Sequence, residues 1–130
     1  EGAWAGGVIQ DPLTDEVLGY TALAQKTEIV RLTESQKRRQ AALDAALPGT
    51  VNGWFPIRGD LYLVTASSDR TPTTWYLYDE GKRTLEQLFS SRPWITPGRL
   101  VEMRPFYLKT RDGLEILSYY FLPPDRKPGE

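Results

Sequence analysis

Serine and carboxylate side chains are the groups in this sequence that could take part in catalysis. A serine nucleophile needs a general base, usually histidine, and the 130 residues include no histidine and no cysteine. The serine pairs Ser67-Ser68 and Ser90-Ser91 lie at the ends of predicted strands, outside any G-x-S-x-G motif. The missing residue types also exclude disulfides, thiol nucleophiles and thiolate or imidazole metal ligands. We therefore expect no catalytic triad within these residues.

Paired carboxylates could support acid–base chemistry, and two pairs are close in sequence: Asp11 with Asp15, and Asp79 with Glu80. Each pair lies in a predicted turn, where solvent keeps pKa values ordinary, so turn and capping roles are favoured. The segment "DPLTD" has too few oxygen ligands for a calcium loop, and no phosphate-binding glycine motif is present. The sequence thus predicts no catalytic, cofactor-binding or metal-binding residue.

The overall composition is that of a globular domain rich in turns. Hydrophobic residues make up 40% and charged residues 25%, and the formal net charge is −1. Because the charge is near zero and no apolar run approaches the roughly 20 residues of a membrane span, we expect neither a nucleic acid nor a membrane partner. Ten prolines, eleven glycines and a high aromatic content favour β structure with many turns.

One segment has helical periodicity. Thr33 followed by Gln36 matches a capping box, and Pro48-Gly49 supplies a stop, which predicts a helix over about 33–47. We expect its basic run, 37–39, to form a solvated helix face rather than a nucleic-acid site. The helix is predicted to dock by its second half, through Ala42, Leu43, Ala46 and Leu47.

The remaining segments alternate between apolar and polar residues, as strands do. Before the helix, a short strand, a turn and a hairpin are predicted. After it, four extended runs are joined by three or four residues, which favours an antiparallel meander with its blade at about 51–90. The runs are 51–57, 61–68, 73–79 and 84–90. A last hairpin has runs 106–110 and 115–122, with a two-residue turn signal at Asp112-Gly113. The predicted fold is mainly β with one α-helix: an antiparallel four-stranded propeller-blade-like meander plus flanking hairpins.

Two features of the meander have a second interpretation. Arg58-Gly59-Asp60 spells a cell-adhesion tripeptide, but between two close strands it indicates an ordinary turn. Exposed aromatic side chains could stack on sugars or bases. Neighbouring aromatics in a strand point to opposite faces, so we expect one set to form the core and the other to cover a neighbouring sheet. These aromatics are Trp54, Phe55, Tyr62, Trp75, Tyr76 and Tyr78.

The last hairpin and the meander together resemble a known pattern. The segment "EMRPFYLKTRDGLEILSYYFLPP" is similar to the join between propeller and hydrolase domain in the prolyl oligopeptidase family of serine peptidases. The likeness rests on an M-x-P at Met103–Pro105, a DG turn and a closing Leu122-Pro123. Upstream, "VIQDPLTDEVLGY" and the helix ending "ALPG" resemble the last propeller blades of bacterial members, so that the likeness spans most of residues 8–124.

The resemblance implies a division of the chain and a role for it. Residues 1–100 would be the C-terminal part of a propeller-like domain, and 101–130 the linker and opening hairpin of an α/β-hydrolase domain. No triad residue can be placed on this chain, and the family implies a Ser-His-Asp triad beyond residue 130. The parent would hydrolyse peptide bonds of oligopeptides through an acyl-enzyme, with the propeller limiting substrate size. The absence of a first methionine agrees with a fragment excised from such a parent.

Two other functions are compatible with the sequence alone. The chain could be a stand-alone β-rich module that binds a peptide or sugar, or part of a degenerate pseudo-enzyme. For the fragment, we expect the partner to be the parent's hydrolase domain. We also expect self-association through strand edges that lack their neighbours.

Overall fold

A computed structural model describes residues 4–96 and 98–123, without the side chain of Trp4. Within these residues the chain forms one helix and nine strands, which confirms the predicted mainly β fold. Pro97 of the predicted linker and the proline-rich tail from Pro124 onward lie outside the described residues. The elements are β1 (Trp4–Gln10), β2 (Val17–Leu23), β3 (Thr27–Val30), α1 (Glu34–Ala46), β4 (Val51–Arg58), β5 (Leu61–Ser67), β6 (Thr74–Asp79), β7 (Thr84–Ser90), β8 (Met103–Lys109) and β9 (Glu115–Phe121).

The described strands form three antiparallel sheets, ordered β1-β2-β3, β4-β5-β6-β7 and β8-β9. The predicted four-stranded meander is confirmed, with strand ends within two residues of the expected ones. The first sheet is one continuous three-stranded meander rather than a separate strand and a hairpin. In each of these sheets, strands that follow one another in sequence pair with each other, because the short connections between them leave no room for a crossover.

The helix begins with the predicted capping box. The Thr33 hydroxyl accepts a hydrogen bond from the Gln36 N–H at 3.3 Å, and Gln36 Oε1 accepts from the Thr33 N–H at 3.1 Å. These bonds satisfy N–H groups that the first turn leaves unpaired. The helix ends at Ala46. Gly49, which follows it, has a φ of +79°, a backbone conformation that favours glycine. In the part of the chain that the structure describes, no helix is long and apolar enough to cross a membrane.

The side of α1 that faces the protein agrees with the predicted one at Leu43 and Leu47 and differs from it elsewhere. Gln36, Gln40 and Leu43 are buried, whereas Ala42 and Ala46 of the predicted docking face are exposed. The basic run is not uniformly solvated either, because the Arg39 side chain is only 12% exposed. The prediction counted apolar residues, but this helix docks through long polar side chains that find hydrogen-bond partners inside.

The core lies on one side of the four-stranded sheet, which we call the inner face. Along β5, Tyr62, Val64 and Ala66 are buried and their neighbours are not, as expected for a strand with one covered face. Leu18 from β2 and Leu43 from α1 pack onto this face. The core cluster comprises Leu18, Leu43, Trp54, Tyr62, Val64 and Tyr78. The helix and the first sheet therefore cover the same face of the meander.

The connection of the last hairpin is close to the predicted one. Its strands pair up to Lys109 and Glu115, so the loop covers residues 110–114, one residue more than the 111–114 left between the predicted runs. The Thr110 N–H donates to the Leu114 carbonyl at 2.9 Å, and the Gly113 N–H donates to the Thr110 carbonyl at 3.1 Å. Gly113 has a φ of +87°, which agrees with the position of the turn signal.

Two hydrogen bonds tie this hairpin to the other sheets in the part of the chain that the structure describes. The Met103 N–H donates to Asp69 Oδ2 at 2.7 Å, and the Tyr119 hydroxyl donates to the Gln25 carbonyl at 3.0 Å. The rings of Phe106 and Tyr120 contact each other at 5.7 Å but remain partly exposed.

Candidate functional site

One serine of each pair considered as a nucleophile has a structural partner. The Ser68 hydroxyl accepts from the Arg70 N–H at 3.1 Å, and the Ser90 hydroxyl accepts from the Arg92 N–H at 3.4 Å. Both bonds span two residues and stabilise the turn that follows a strand. The two serines therefore act in turn formation.

The carboxylate pairs are also engaged in turns and ion pairs. Asp11 is 7% exposed and accepts from the Leu13 N–H at 2.8 Å. The backbone N–H and the ammonium of Lys82 hold the pKa of Asp79 below its ordinary value. A carboxylate whose pKa is lowered stays ionised and is a poor general acid. Among residues 4–96 and 98–123, no three acidic side chains come together as a metal-binding group.

The Arg58-Gly59-Asp60 tripeptide comprises the last residue of β4 and the two-residue connection to β5. Gly59 has a φ of +55°, and the Asp60 carbonyl accepts from the Glu80 N–H at 2.9 Å. The tripeptide thus joins one strand pair and is tied to the next turn, which is the role that turn chemistry predicts.

The buried aromatics form the inner face together with two arginines. The guanidinium carbon of Arg31 lies 4.1 Å from the ring centre of Trp54, and that of Arg39 lies 4.7 Å from the same ring. Arg39 also lies 3.9 Å from the ring centre of Tyr62. Trp54 and Tyr62 meet edge to face at 5.6 Å. This arrangement lets cationic side chains pack inside the protein through aromatic faces.

Arg31 is a buried cation that joins three elements. It is 4% exposed, donates through Nε to Gln40 Oε1 at 3.0 Å, and donates through Nη1 to the Leu18 carbonyl at 3.0 Å. Burial, with the nearby Arg39, lowers the pKa of Arg31 to about 10, so that it is still protonated at neutral pH. Its bonds connect β2 and α1, while its plane packs on Trp54 of β4.

Gln40 extends the same network to the four-stranded sheet. Its Nε2 donates to the Asn52 carbonyl at 2.8 Å and to Asp44 Oδ1 at 2.9 Å. Asn52 is 1% exposed and donates to Asp44 Oδ1 at 2.9 Å. Sequence reasoning missed these residues because it sought apolar contacts. The signal that could have revealed them is the spacing of Gln36, Gln40 and Leu43, which places all three on one side of a helix.

Arg39 is fixed by an ion pair across the fold. Its Nε and Nη2 donate to the two Glu80 oxygens at 3.0 and 2.7 Å, a two-point contact between residues 41 positions apart. Such a fork-shaped contact fixes geometry as well as charge. Glu80 is therefore a partner of the helix rather than an acid–base pair with Asp79.

The opposite side of the four-stranded sheet, which we call the outer face, is largely apolar and half-buried. Cross-strand pairing aligns two rows on it. One row contains Phe55, Leu63 and Leu77 and ends at Glu86, and the other contains Thr65, Trp75 and Phe89. All these side chains keep part of their surface exposed, and the rings of Trp75 and Phe89 stack at 4.7 Å. Adjacent aromatics do point to opposite faces, as predicted.

An apolar sheet face of this kind is suited to packing against another layer. Sheets pack face to face through apolar side chains, and a contiguous exposed apolar patch marks an interaction surface. The arrangement is therefore that of a structural layer with one covered and one open side, and the outer face is the candidate functional site.

Comparison with known proteins gives a partial match to peptidases. The chain is 29% identical over 119 residues to dipeptidyl aminopeptidase BIII of Pseudoxanthomonas mexicana, which covers 91% of this chain and 17% of that protein. It is 28% identical over 124 residues to dipeptidyl peptidase family member 6 of Caenorhabditis elegans, covering 94% of this chain and 17% of that protein. The chain thus spans about a sixth of the length of these curated relatives. No protein-family model and no solved structure matches it.

Proposed function

We propose that this chain is a non-catalytic part of a serine peptidase of the prolyl oligopeptidase family. In this proposal the four-stranded sheet is one blade of a β-propeller, and the β8–β9 hairpin opens the α/β-hydrolase domain. The observation that carries the proposal is the outer face: a four-stranded meander with apolar residues on both sides needs a neighbouring layer on each. The peptidase names of two relatives, each about six times as long as this chain, support the same interpretation.

The proposed parent removes dipeptides from peptide substrates, as the names of the relatives indicate. Its serine would attack the scissile carbonyl and form an acyl-enzyme, with a histidine as general base. The 130 residues of this chain would contribute part of the propeller wall, which limits the size of substrates that reach the triad. Its partners would be the parent's hydrolase domain and oligopeptide substrates.

The test compares this chain with the product of the complete gene. We expect the purified 130-residue chain to leave a dipeptidyl p-nitroanilide intact, and the complete product to hydrolyse it and to react with a fluorophosphonate. A complete product with its nucleophilic serine changed to alanine is the matched control. Turnover by the 130-residue chain alone would overturn the proposal, as would a complete gene that encodes no G-x-S-x-G segment. The second outcome would favour the stand-alone binding module or the pseudo-enzyme.

The outer face leads to a prediction about association of the isolated chain. We expect the chain to self-associate between micromolar and millimolar concentration, and Leu77→Lys to weaken that association about tenfold, because a charge would enter an apolar contact. Leu13→Lys is the matched control, since Leu13 is 74% exposed in the β1–β2 turn. Sedimentation equilibrium measures the dissociation constants of the chain and of both variants.

Association through strand edges, as the sequence predicted, would give a different result. Leu77→Lys would then leave the dissociation constant unchanged, and amide exchange along the edge strand β7 would slow as concentration rises. The other edge strand, β4, contains Pro56, which cannot donate to a new ladder. A chain that stays monomeric at millimolar concentration would contradict both forms of the prediction.

A further inference from the structure

A groove lies between α1 and the strands β6 and β7 of the four-stranded sheet. Its volume is about 660 Å³, within the range of ligand sites. The floor contains Leu43, Tyr78 and Leu85, and the helix side is low because Ala42 and Ala46 are small. The groove lies beside the inner face and is separate from the outer face described above.

The charge of the groove is strongly positive for a chain whose net charge is −1. Arg38, Arg39 and Arg83 line it, and Glu80 is the one acidic residue of the lining, which leaves a net charge of +2. Glu80 is held by Arg39 in the two-point contact already described. Arg38 and Arg83 are exposed and form no ion pair within residues 4–96 and 98–123.

The charges are concentrated at one end. Ser35, Arg38 and Arg39 lie in the first half of the helix, and Arg39 reaches Glu80 at the end of β6. Towards the end of the helix the lining becomes apolar with Ala42, Leu43 and Ala46, and on the sheet side Leu85 lines the groove two residues after Arg83. The groove therefore has a basic end and an apolar end.

The length of the groove sets the length of a peptide that could fill it. From Ser35 to Ala46 the helix extends about 16 Å, at a rise of 1.5 Å per residue. An extended peptide advances about 3.3 Å per residue, so a segment of about five residues would span it. Carboxylates pair with arginines, and an apolar side chain is needed to cover the floor beside Leu85.

We propose that this groove binds an extended acidic segment of a partner polypeptide, with carboxylates at the Arg38 and Arg83 end and an apolar residue over Leu85. Arg39 cannot serve in the same way, because Glu80 already holds its guanidinium. Binding here would not depend on the peptidase proposal, since every residue that it uses lies in the described chain.

The experiment is a titration of the 130-residue chain with blocked pentapeptides, followed by fluorescence anisotropy of a labelled peptide. The probe has three glutamates followed by two leucines, and the comparison peptide has three lysines followed by two leucines. We expect saturable binding of the acidic peptide and none of the lysine peptide. Binding of the acidic peptide should weaken as the salt concentration rises from about 50 to about 500 mM, because salt screens exposed charge pairs. Over this range, which we choose for the purpose, the Debye length falls from about 14 to about 4 Å.

Three variants of the chain decide the site. The double variant Arg38→Glu, Arg83→Glu should bind the acidic peptide about tenfold more weakly. Ala42→Trp should also weaken it, because the ring would fill the groove without changing its charge. The matched control Arg92→Glu, Arg111→Glu makes the same change of charge at exposed positions outside the groove and should bind as the parent chain does.

Several results would overturn the proposal. Equal binding of the lysine peptide, an equal loss in the control double variant, or unchanged binding by Ala42→Trp would each place the interaction elsewhere. Absence of saturable binding up to millimolar concentrations of the acidic peptide would show that the groove does not bind such a segment. If the groove variants instead changed only the sedimentation of the chain, the occupant would be a second copy and the proposal of an acidic partner would fail.

Discussion

Replacing Trp54 with alanine is expected to lower the free energy of unfolding by about 3–5 kcal/mol. Trp54 is 1% exposed, belongs to the core cluster on the inner face and packs edge to face on Tyr62. Its removal leaves a large cavity and takes away the ring on which Arg31 packs. A domain of this size has a total stability of only about 5–15 kcal/mol, so this loss is a large fraction of it.

The measurement is urea unfolding followed by far-ultraviolet circular dichroism, which does not depend on the removed tryptophan. Trp94→Ala is the matched control, since Trp94 is 76% exposed, and it should change the free energy of unfolding by less than about 0.5 kcal/mol. If Trp54→Ala does not fold, Trp54→Phe should still fold with an intermediate loss. A loss below about 1 kcal/mol for Trp54→Ala would show that the inner face is not the centre of the core.

The second large effect is expected for Gln40→Leu, at about 3 kcal/mol of destabilisation. Leucine has a similar size but cannot accept the Arg31 Nε–H or donate to the Asn52 carbonyl. A buried guanidinium would then lose a hydrogen-bond acceptor, and a buried carbonyl would lose a donor, which are the costly kinds of unpaired group. A change in helix propensity cannot account for this loss, because leucine forms helices at least as well as glutamine.

A double-mutant cycle identifies the cause of that loss. In the background Arg31→Met, Gln40→Leu should be less destabilising by about 1–3 kcal/mol, because the guanidinium that it leaves unpaired is already absent. Gln25→Leu is the control for the residue change itself, since Gln25 is exposed and its side chain forms no hydrogen bond among residues 4–96 and 98–123. Additive effects of Arg31→Met and Gln40→Leu would contradict the network.

The sequence predicted the elements well because the relevant signals are local. The capping box at Thr33, the glycine at 49 and the alternation along β5 depend on neighbouring residues and gave the correct element types. The turn of the last hairpin was placed correctly for the same reason, because Asp112-Gly113 is a local signal.

The contacts that build the sites could not be predicted, because they join distant parts of the chain. Arg39 and Glu80 are 41 positions apart, and Arg31 reaches Leu18 across the first sheet. No spacing rule relates such residues before the sheets are assembled. The polar part of the helix face was missed for the same reason: Gln40 is buried here because Arg31 and the Asn52 carbonyl are available to it.

The tethering of the β8–β9 hairpin has a consequence for motion. A two-stranded ribbon is marginally stable alone, and this one is held to the other sheets by the Asp69 and Tyr119 hydrogen bonds described above. Detaching the ribbon from the other two sheets should therefore cost much less free energy than unfolding the meander. We expect the ribbon to move as a unit while those two sheets stay folded. The meander and the ribbon are thus two cooperative units of unequal strength, and whatever docks against the ribbon sets its orientation.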